Sequence, residues 1–529
     1  MTGKETIFQF KDFDFEEFRS RYVSNCSEQR EIPDAVDDLS FLDPNAVPYS
    51  GLSEPGELIR KRMHAVQNRG RLLAKVSFVI DILIRRAIIY TQGEKTTLPL
   101  ANINAALLKA IIGRDYKPII ESLHQMGYIE KYTPYNTGEA TGYRVEIYEN
   151  ELINIPVPGE IRRDITKYRE DIKQRLDLHR KENNRNNLRL AMSRTDDKAS
   201  DADVDEFILH YEKSLNKIKI VNKTGFGKAI AEKEEVNPLS KFYYSYLERS
   251  LEEYKSLYEI DPQGRFYHIL TTLKRELKKY LNFAFTLDCK NSHPALFNII
   301  LFSLHNINHS LRVRLSTALH KLFQDLLKEG KELFDIYHYV GKNIRNWLIN
   351  NCVGEDEIAV LSDDELEYIF QSLNGILWDK IHYEHPELTR DDIKITMFQE
   401  VFYSNKPQLS YKKYGKIFAA HYPTVYAEIK RWKSPGKYPH IQWFLNSQKV
   451  NYQNKPTAAL SLTLMTIEAN IFRSALASLY RKRYHAVHIH DCIVIPDTGN
   501  KHQPTREEVE TILLKEYERY GLIPTLSTE

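Results

Sequence analysis

The sequence predicts an α+β protein that is mostly helical and divided into several domains. Its 529 residues are about three to four times the usual length of one domain. Hydrophobic residues make up 42% of the chain and charged residues 28%, so it can bury true cores. Apolar residues at helical spacing cover long stretches, whereas the alternation typical of strands is confined to short segments.

The charge balance and the cysteines narrow the class of protein. Lys and Arg number 74 against 72 Asp and Glu, for a formal net charge of +2. This excludes a histone-like polycation and an acidic, solvating chain, but it leaves room for a local basic groove. The four cysteines are scattered and form no CxxC pair, which argues against a zinc ribbon or a disulfide framework. The polar, acidic start and the lack of a long apolar stretch predict a soluble, cytoplasmic protein without a membrane partner.

Residues 1–60 and 61–155 form the first two predicted domains. Prolines among Asp, Ser and Gly predict an extended arm over 1–60, with a short helix at 13–21. The second domain contains a long, buried helix at 72–90, which its helical spacing of apolar residues predicts.

The elements that follow have the order helix, turn, helix and β-hairpin, which is the order of a winged helix. The predicted elements are helices at 99–112 and 116–126, the second capped by Asp115, and strands at 128–132 and 142–148. In such units the second helix can enter the major groove of DNA, so Lys117 and Arg144 are expected to meet phosphates. A winged helix that makes only protein contacts is the alternative.

A basic helical region is predicted over 156–237, ahead of a region over 238–529 that carries the chemical signals. From Arg162 to Arg194 there are eleven Lys or Arg against five Asp or Glu. Such a helix can hold duplex nucleic acid, or it can present a solvated face laced with i,i+4 ion pairs.

Two predicted strands of the C-terminal region each have an aspartate at one end. The apolar run 283–287 leads into Asp288, and a β-hairpin over 485–496 carries Asp491 ahead of a second apolar strand. Two carboxylates on neighbouring strands suit phosphoryl transfer with two Mg²⁺ ions, because Mg²⁺ takes one or two carboxylates and completes its shell with substrate phosphates. The paired ions, for which Mn²⁺ can substitute, would activate an attacking 3′-hydroxyl and stabilise the leaving pyrophosphate.

A helix between these two strands carries residues suited to a nucleoside triphosphate. Arg390, Lys394, Phe398 and Phe402 are spaced four apart, which places them along one helix face. The cations can meet the triphosphate while the rings meet the base and the sugar. A solvent-facing Arg/Lys helix is the alternative.

The order of these segments resembles the polymerase core of the family A DNA polymerases and of the single-subunit, phage-type RNA polymerases. The resemblance covers residues 261–497. It implies a right-hand palm with an antiparallel sheet and fingers helices over 238–529, and a thumb-like role for 156–237. The matched motifs are the DxxGR element (Asp261, Gly264, Arg265, with Tyr267 in its continuation), the motif A aspartate (Asp288), the R-x-x-x-K of the fingers helix (Arg390, Lys394) and the His-Asp of motif C (His490, Asp491).

The resemblance implies a role for each residue. Asp288 and Asp491 would be the catalytic residues and would bind the two metal ions. Nucleotide contacts would come from Arg390, Lys394, Phe398, Phe402 and His293, with Phe402 stacking at the nucleotide site. Template and primer contacts would come from Arg265, Tyr267, His490, Lys117, Arg144 and Glu468, which lies on a helix at 459–480.

Departures from the family pattern leave the choice of sugar open. Cys492 follows motif C where the DNA polymerases have Glu. His293 replaces the Glu that these enzymes place five residues after the motif A Asp, and Tyr403 stands where the family has a Gly after the fingers helix. The core is also short for this family, so fingers and thumb are expected to be reduced.

These features predict a template-directed nucleotidyltransferase that extends a 3′-hydroxyl, with a DNA or RNA template and primer and nucleoside triphosphates as partners. Replication of a phage or mobile element is the expected setting. The alternatives are a winged-helix replication initiator or regulator with a silent polymerase-like scaffold, and an anti-phage defence polymerase. His485, His488 and His490 present a separate alternative, a zinc site, because alternate residues of a strand share a face.

Overall fold

A computed structural model describes the chain as two compact units. The first comprises residues 1–181 and 222–252, and the second comprises residues 182–221 and 253–529. The described residues are 6–10, 12–28, 68–85, 100–102, 108, 112–132, 142–145, 152–156, 159–195, 199–236, 251, 258–404, 413–453, 456–499 and 502–528.

The first unit contains two small antiparallel sheets within its described residues. β1 pairs with β5, and the other sheet has the order β2-β4-β3. Its strands are β1 (Thr6–Phe10), β2 (Leu100–Asn102), β3 (Ile129–Tyr132), β4 (Gly142–Val145) and β5 (Leu152–Pro156). Its helices are α1 (Phe15–Glu28), α2 (68–85), α3 (Tyr116–Gln125), α4 (Gly159–Met192), which continues into the second unit, and α6 (Lys223–Val236).

Buried contacts join the helices of this unit. Asn25 on α1 donates from Nδ2 to Ser122 Oγ on α3 at 3.0 Å, so two buried polar side chains satisfy each other. On α2 and α4, Ala74, Ile161 and Ile165 form a small apolar cluster. The predicted buried helix is confirmed over 72–85, where Val76, Ile80 and Leu83 are fully buried, and its last five residues lie outside the described ranges.

Two local predictions for this unit are corrected. The helix predicted at 99–112 does not begin there, because Leu100–Asn102 forms β2 and pairs with residues 142–144 of β4. Asp115 does not cap α3 with its side chain; its carboxylate pairs with Lys75 on α2 instead. Both corrections have one cause: contacts with distant residues outweigh local sequence preferences.

The second unit is mostly helical. Its helices are α5 (Asp201–Leu215), α7 (Ile269–Thr272), α8 (Arg275–Lys278), α9 (Ser292–Leu304), α10 (His309–Lys328), α11 (Leu333–Asn351), α12 (Glu355–Ile358), α13 (Asp363–Leu373), α14 (Leu377–Glu384), α15 (Arg390–Met397), α16 (Lys413–His421), α17 (Pro423–Arg431), α18 (Pro439–Ser447), α19 (Ala459–Arg481) and α20 (Arg506–Glu518). No helix in the described ranges is both long and apolar enough to cross a bilayer. The predicted class, mostly helical with small antiparallel sheets, is confirmed at that level.

A four-stranded antiparallel sheet is the central β element of this unit. Its strands are β8 (Phe283–Cys289), β9 (Val487–Ile489), β10 (Cys492–Pro496) and β11 (Leu526–Thr528), in the order β11-β8-β10-β9. A separate hairpin pairs β6 (Tyr258–Ile260) with β7 (Phe266–His268). The two apolar runs predicted as strands at 283–287 and 492–495 are thus neighbours in one sheet.

Two buried helices support this sheet region. α9 is apolar nearly all round its circumference, and such a helix belongs in a core. It packs against α19 and α13, while α19 also packs against α20. Because these helices are buried, any polar side chain that they carry must find an internal partner.

Candidate active site

Asp288 and Asp491 lie next to each other across two paired strands. Cys492 on β10 is directly opposite Asp288 on β8, and the backbone N–H of Cys289 donates to the carbonyl of Asp491 at 3.1 Å. Burial and the charges of both aspartates raise the pKa of the Cys492 thiol. The sheet therefore gathers the two predicted catalytic carboxylates at one place.

The electrostatics of Asp491 suit a bound cation. Burial and the nearby carboxylate of Glu468 raise the pKa of Asp491, and the charges of Lys394 and His293 oppose this rise. A divalent cation would relieve the repulsion between these carboxylates. In the described residues no three His, Cys, Asp or Glu side chains form a metal cage. Mg²⁺ takes one or two carboxylates and completes its shell with substrate phosphates, and Asp288 and Asp491 are the residues that could hold such an ion.

Glu468 is the centre of a buried polar network behind these aspartates. Its side chain is 1% exposed, and its carboxylate accepts hydrogen bonds from Arg265 Nη2 and, at 2.9 Å, from Ser292 Oγ. His293 Nε2 lies 3.2 Å from Glu468 Oε1. Burial alone would raise the pKa of Glu468, but Arg265 and His293 outweigh it and hold the pKa well below its usual range. Glu468, predicted to contact the template, thus faces the protein interior.

A tight turn aims Arg265 at this network. Asp261 accepts from the backbone N–H of Arg265 at 2.9 Å and from the Tyr267 hydroxyl at 3.2 Å. Gly264 has a φ of +95°, and a Cβ there would lie 2.8 Å from the Cβ of Ala191. The DxxGR pattern is therefore a structural motif here, in which each of its residues has a defined contact. Tyr267, two residues after the pattern, is 39% exposed.

The two cations predicted to bind a triphosphate, Arg390 and Lys394 on α15, have different surroundings. Arg390 opens α15, and Asp379 on α14 accepts from its Nε at 2.6 Å and from its Nη2 at 3.3 Å. Lys394, one turn later, is exposed, and its charge opposes the rise in the pKa of Asp491. Lys394 is therefore the cation whose charge acts on Asp491, while Arg390 is oriented by Asp379.

A π-turn changes which aromatic ring follows Phe398. Phe398–Phe402 is π-helical, and the backbone N–H of Tyr403 donates to the carbonyl of Phe398 at 2.7 Å. This turn accommodates one extra residue, so Tyr403 takes the place on the helix face that an α-helix gives to Phe402. The rings of Tyr403 and Phe398 stack with their centroids 5.4 Å apart.

Phe402 is consequently not brought to the site. It is 0% exposed and packs against Phe297 and Phe418, with its ring tilted by 49° against that of Phe398. Tyr403 instead bonds through its hydroxyl to His293 Nδ1. His293, predicted to contact nucleotide, lies between Tyr403 and Glu468.

The three histidines in and before the β9–β10 hairpin do not converge on a metal within the described residues. His485 Nδ1 lies 3.4 Å from Ser214 Oγ, His488 bonds to the carbonyl of His490, and exposed His490 bonds through Nε2 to the carbonyl of Thr271 at 3.2 Å. Each imidazole therefore has a different partner. The alternative of a zinc site at these histidines is not supported within the described residues.

Lys117 and Arg144 belong to the first unit. Lys117 is exposed at the second position of α3, and Arg144 lies on β4 opposite Leu100 and Glu130. The other predicted site residues belong to the second unit.

No protein-family model, curated protein or solved structure matches the chain. The inference about function therefore depends on the residues and their geometry.

Some residues of this site have no recognisable signal in the sequence. Asp379 gave no signal, because nothing in its spacing links it to Arg390 eleven residues later. In the sequence, Tyr403 is only a departure from a glycine, because the π-turn that gives it a role is a feature of three-dimensional packing. The buried Nζ of Lys433 donates to the carbonyl of Phe402 at 2.7 Å, and no sequence pattern indicates this bond either.

Proposed function

We propose that the protein is a template-directed nucleic-acid polymerase that adds nucleotides to a 3′-hydroxyl. The observation that carries the proposal is the pairing of β8 with β10, which sets Asp288 beside Asp491 at one place in the sheet. The exposed Lys394 near this pair adds a cation where a triphosphate would lie. Replication of a phage or another mobile element is the setting that we infer, and defence against phages is the alternative setting.

The reaction requires a bond change at the α-phosphorus of the incoming nucleotide. The 3′-hydroxyl loses its proton to solvent and its oxygen forms a bond to this phosphorus, while the bond to the bridging oxygen breaks and pyrophosphate leaves. Two Mg²⁺ ions held by Asp288 and Asp491 would lower the pKa of the hydroxyl and neutralise charge on the pyrophosphate. Lys394 would bind the phosphates electrostatically, and Arg390 would present the guanidinium edge that Asp379 leaves open.

The aromatic part of the nucleotide site is assigned to Phe398 and Tyr403. Phe398 is half-buried and meets the His293 ring edge-on at 6.2 Å, and Tyr403 stacks on it. His293 connects this pair to Glu468 and Arg265, so the ring platform is continuous with the buried network. A nucleobase or sugar placed over these rings would lie beside Lys394 and the two aspartates.

Exposed lysines beside the motif C hairpin provide a basic surface, formed by Lys213, Lys217, Lys219 and Lys279. Asn282 links the two segments that carry them, donating through its backbone N–H to the carbonyl of Lys219 at 3.0 Å and through Nδ2 to that of Lys217 at 3.0 Å. Burial and the charges of Lys217 and Lys213 lower the pKa of His485 on the hairpin. This surface suits the phosphate backbone of a template–primer duplex.

Primer extension with the purified full chain tests the proposal. The protein is incubated with a primed DNA template, Mg²⁺ or Mn²⁺, and either deoxynucleotides or ribonucleotides. Asp288→Asn and Asp491→Asn are each expected to lower incorporation by at least about 1,000-fold, since each removes a ligand of the reacting metal ions. The matched control is Asp325→Asn, which removes a carboxylate that pairs with Lys328 on the surface of α10 and is expected to leave the rate unchanged.

Two results would overturn the proposal. One is the lack of incorporation with either type of nucleotide on DNA and RNA templates, with and without a primer. The other is incorporation that survives both aspartate substitutions, because the activity would then belong to a contaminant.

A second candidate function, DNA recognition by the first unit, has its own observation. The unit contains α2, β2, α3, β3 and β4 in chain order. These three strands form its three-stranded sheet, in the order β2-β4-β3. This agrees with a winged helix in which α3 is the recognition helix. Lys117 lies exposed in the first turn of α3.

Salt-dependent binding of full-length protein to duplex DNA tests this second candidate. Lys117→Ala is expected to weaken binding and to lower the slope of log K against log salt by about one unit. Lys328→Ala, a surface lysine of α10, serves as the control. Equal slopes for Lys117→Ala and the wild type would contradict DNA contact through α3.

A further inference from the structure

The turn that carries Asp491 has an unusual backbone conformation. β9 and β10 are joined by the two residues His490 and Asp491, since Ile489 pairs directly with Cys492. His490 has a φ of +55°, in the left-handed region that costs energy for residues with a side chain. Something must hold this turn, because the position of Asp491 depends on it.

A chain of three imidazoles and backbone carbonyls holds the turn. His268 Nε2 donates to the carbonyl of His488 at 3.0 Å, His488 Nε2 donates to the carbonyl of His490, and His490 Nε2 donates to the carbonyl of Thr271 at 3.2 Å. The middle bond fixes the peptide plane between His490 and Asp491. The backbone carbonyl of Asp491 accepts in turn from Cys289, next to Asp288.

The protonation states agree with these bonds. His268 Nδ1 accepts from the backbone N–H of Leu270 at 3.2 Å, so its proton is on Nε2. Burial lowers the pKa of His268 to about 4 and that of His488 to about 3. Both rings are thus neutral and have one N–H each, and each donates this N–H to a backbone carbonyl of the hairpin.

We propose that His488 is a positioning residue that sets the orientation of Asp491 through the backbone carbonyl of His490. It acts behind the metal ligand and touches neither nucleotide nor metal. The inference rests on the proposed function, since it takes Asp491 to be a metal ligand. Partners of this kind tune metal affinity by about 10- to 100-fold when they orient a ligand.

The competing reading is that His488 only fills the core. Its ring is 2% exposed and stacks on Phe472 at 4.8 Å, so a phenyl ring would satisfy packing equally well. The two readings make opposite predictions for two substitutions. His488→Phe keeps a ring but loses the N–H, whereas His488→Gln loses the ring but keeps an N–H donor at a similar distance from the backbone.

Mn²⁺ binding by the full-length protein, followed by electron paramagnetic resonance of free Mn²⁺, provides the test. His488→Phe is expected to weaken Mn²⁺ binding by about 10- to 100-fold, and His488→Gln to remain within about threefold of the wild type. His502→Phe is the control, because His502 Nε2 also donates to a backbone carbonyl, that of Lys482, and it is expected to bind Mn²⁺ as the wild type does. If His488→Phe does not fold, as judged by circular dichroism, His488→Leu replaces it.

The outcomes separate the inference from the proposed function. Wild-type Mn²⁺ affinity in His488→Phe, together with weak binding in His488→Gln, would overturn the positioning role of His488. The proposed polymerase function would not be contradicted by this result. Loss of Mn²⁺ binding in His488→Phe, in a protein that incorporates no nucleotide, would support the positioning role and reject the polymerase. A wild-type protein that binds Mn²⁺ no better than Asp491→Asn would overturn the inference.

Discussion

Tyr403 stacks on Phe398 at an interplanar angle of 21°, although a regular α-helix would have brought Phe402 to that position. The difference assigns the two neighbouring rings to different tasks. Tyr403→Ala is expected to raise the KM for nucleotide by about tenfold, because aromatic stacking on a base is worth about 1–3 kcal/mol. Steady-state incorporation at varied nucleotide concentration measures this change.

Phe402 serves as the internal comparison. Phe402→Ala is expected to lower the free energy of unfolding by about 3–5 kcal/mol, as expected for a phenyl ring that is 0% exposed. The KM of the folded fraction should remain unchanged. A KM effect confined to Phe402→Ala would contradict the assignment and restore the uninterrupted helix face.

Asp379 is expected to orient Arg390 for the triphosphate. Asp379→Ala removes the acceptor for Nε and Nη2 of Arg390. The KM for nucleotide should rise by about threefold to tenfold, since a charge-assisted hydrogen bond contributes about 1 kcal/mol or more, while kcat changes less. A lower KM in this variant would show that Asp379 competes with the phosphates for Arg390.

Glu468 is expected to be essential for stability. Glu468→Gln leaves Arg265 buried with no carboxylate from this position, so the free energy of unfolding should fall by about 3–5 kcal/mol near pH 7. Since the pKa of Glu468 is lower in the folded protein, its contribution is complete above the usual pKa of a glutamate. It disappears as the pH falls through the folded-state pKa.

Urea unfolding of wild type and Glu468→Gln over a range of acidic pH measures this contribution. The control is Glu510→Gln, whose carboxylate pairs with Arg506 on the surface of α20 at 3.9 Å and should contribute less than about 0.5 kcal/mol. A constant difference between wild type and Glu468→Gln at all pH values would contradict the ionised, buried pair.

Buried Lys433 is expected to make the free energy of unfolding depend on pH in the alkaline range. Its side chain is 3% exposed, and burial lowers its pKa to about 8. Because the unfolded chain holds this proton more tightly, the charged lysine costs stability below pH 8, and the cost falls as the pH rises from 8 to about 10.5. Relative to Lys433→Met, the wild-type unfolding free energy should rise by up to about 3 kcal/mol over this range.

An exposed lysine, Lys328, provides the control for this unfolding experiment. Lys328→Met removes a lysine whose side chain is 77% exposed and should give a difference that does not change with pH over the same range. A flat difference for Lys433→Met as well would mean that Lys433 is solvated in the folded protein.

The elements near the site could be predicted in part. The strand ending near Asp288 and the hairpin strand after Asp491 are confirmed, because apolar runs bounded by polar residues are strong local signals. The helix that begins at Arg390 is confirmed too, with Thr389 as its N-cap. The π-turn that follows it could not be predicted, because its cost is recovered only by packing Phe402 against residues far away in the chain.

The buried partners were also beyond sequence reasoning. Glu468, Arg265 and His293 come from segments up to about 200 residues apart, and no spacing rule links them. The same is true of His268 and His488, whose bond spans 220 residues. Satisfying a buried polar group is a requirement of the folded interior, so its partner is known only once the interior has formed.

The sequence by itself determined the mostly helical class, the apolar strands around Asp288 and Asp491, and the spacing of Arg390 and Lys394. These depend on local periodicity, which the chain shows before it folds. Tertiary structure alone decided the register of β8 against β10, the stacking of Tyr403 rather than Phe402 on Phe398, and the inward turn of Glu468 to Arg265. Each of these depends on contacts between distant segments, where burial and hydrogen bonding outweigh the preferences of any single stretch of sequence.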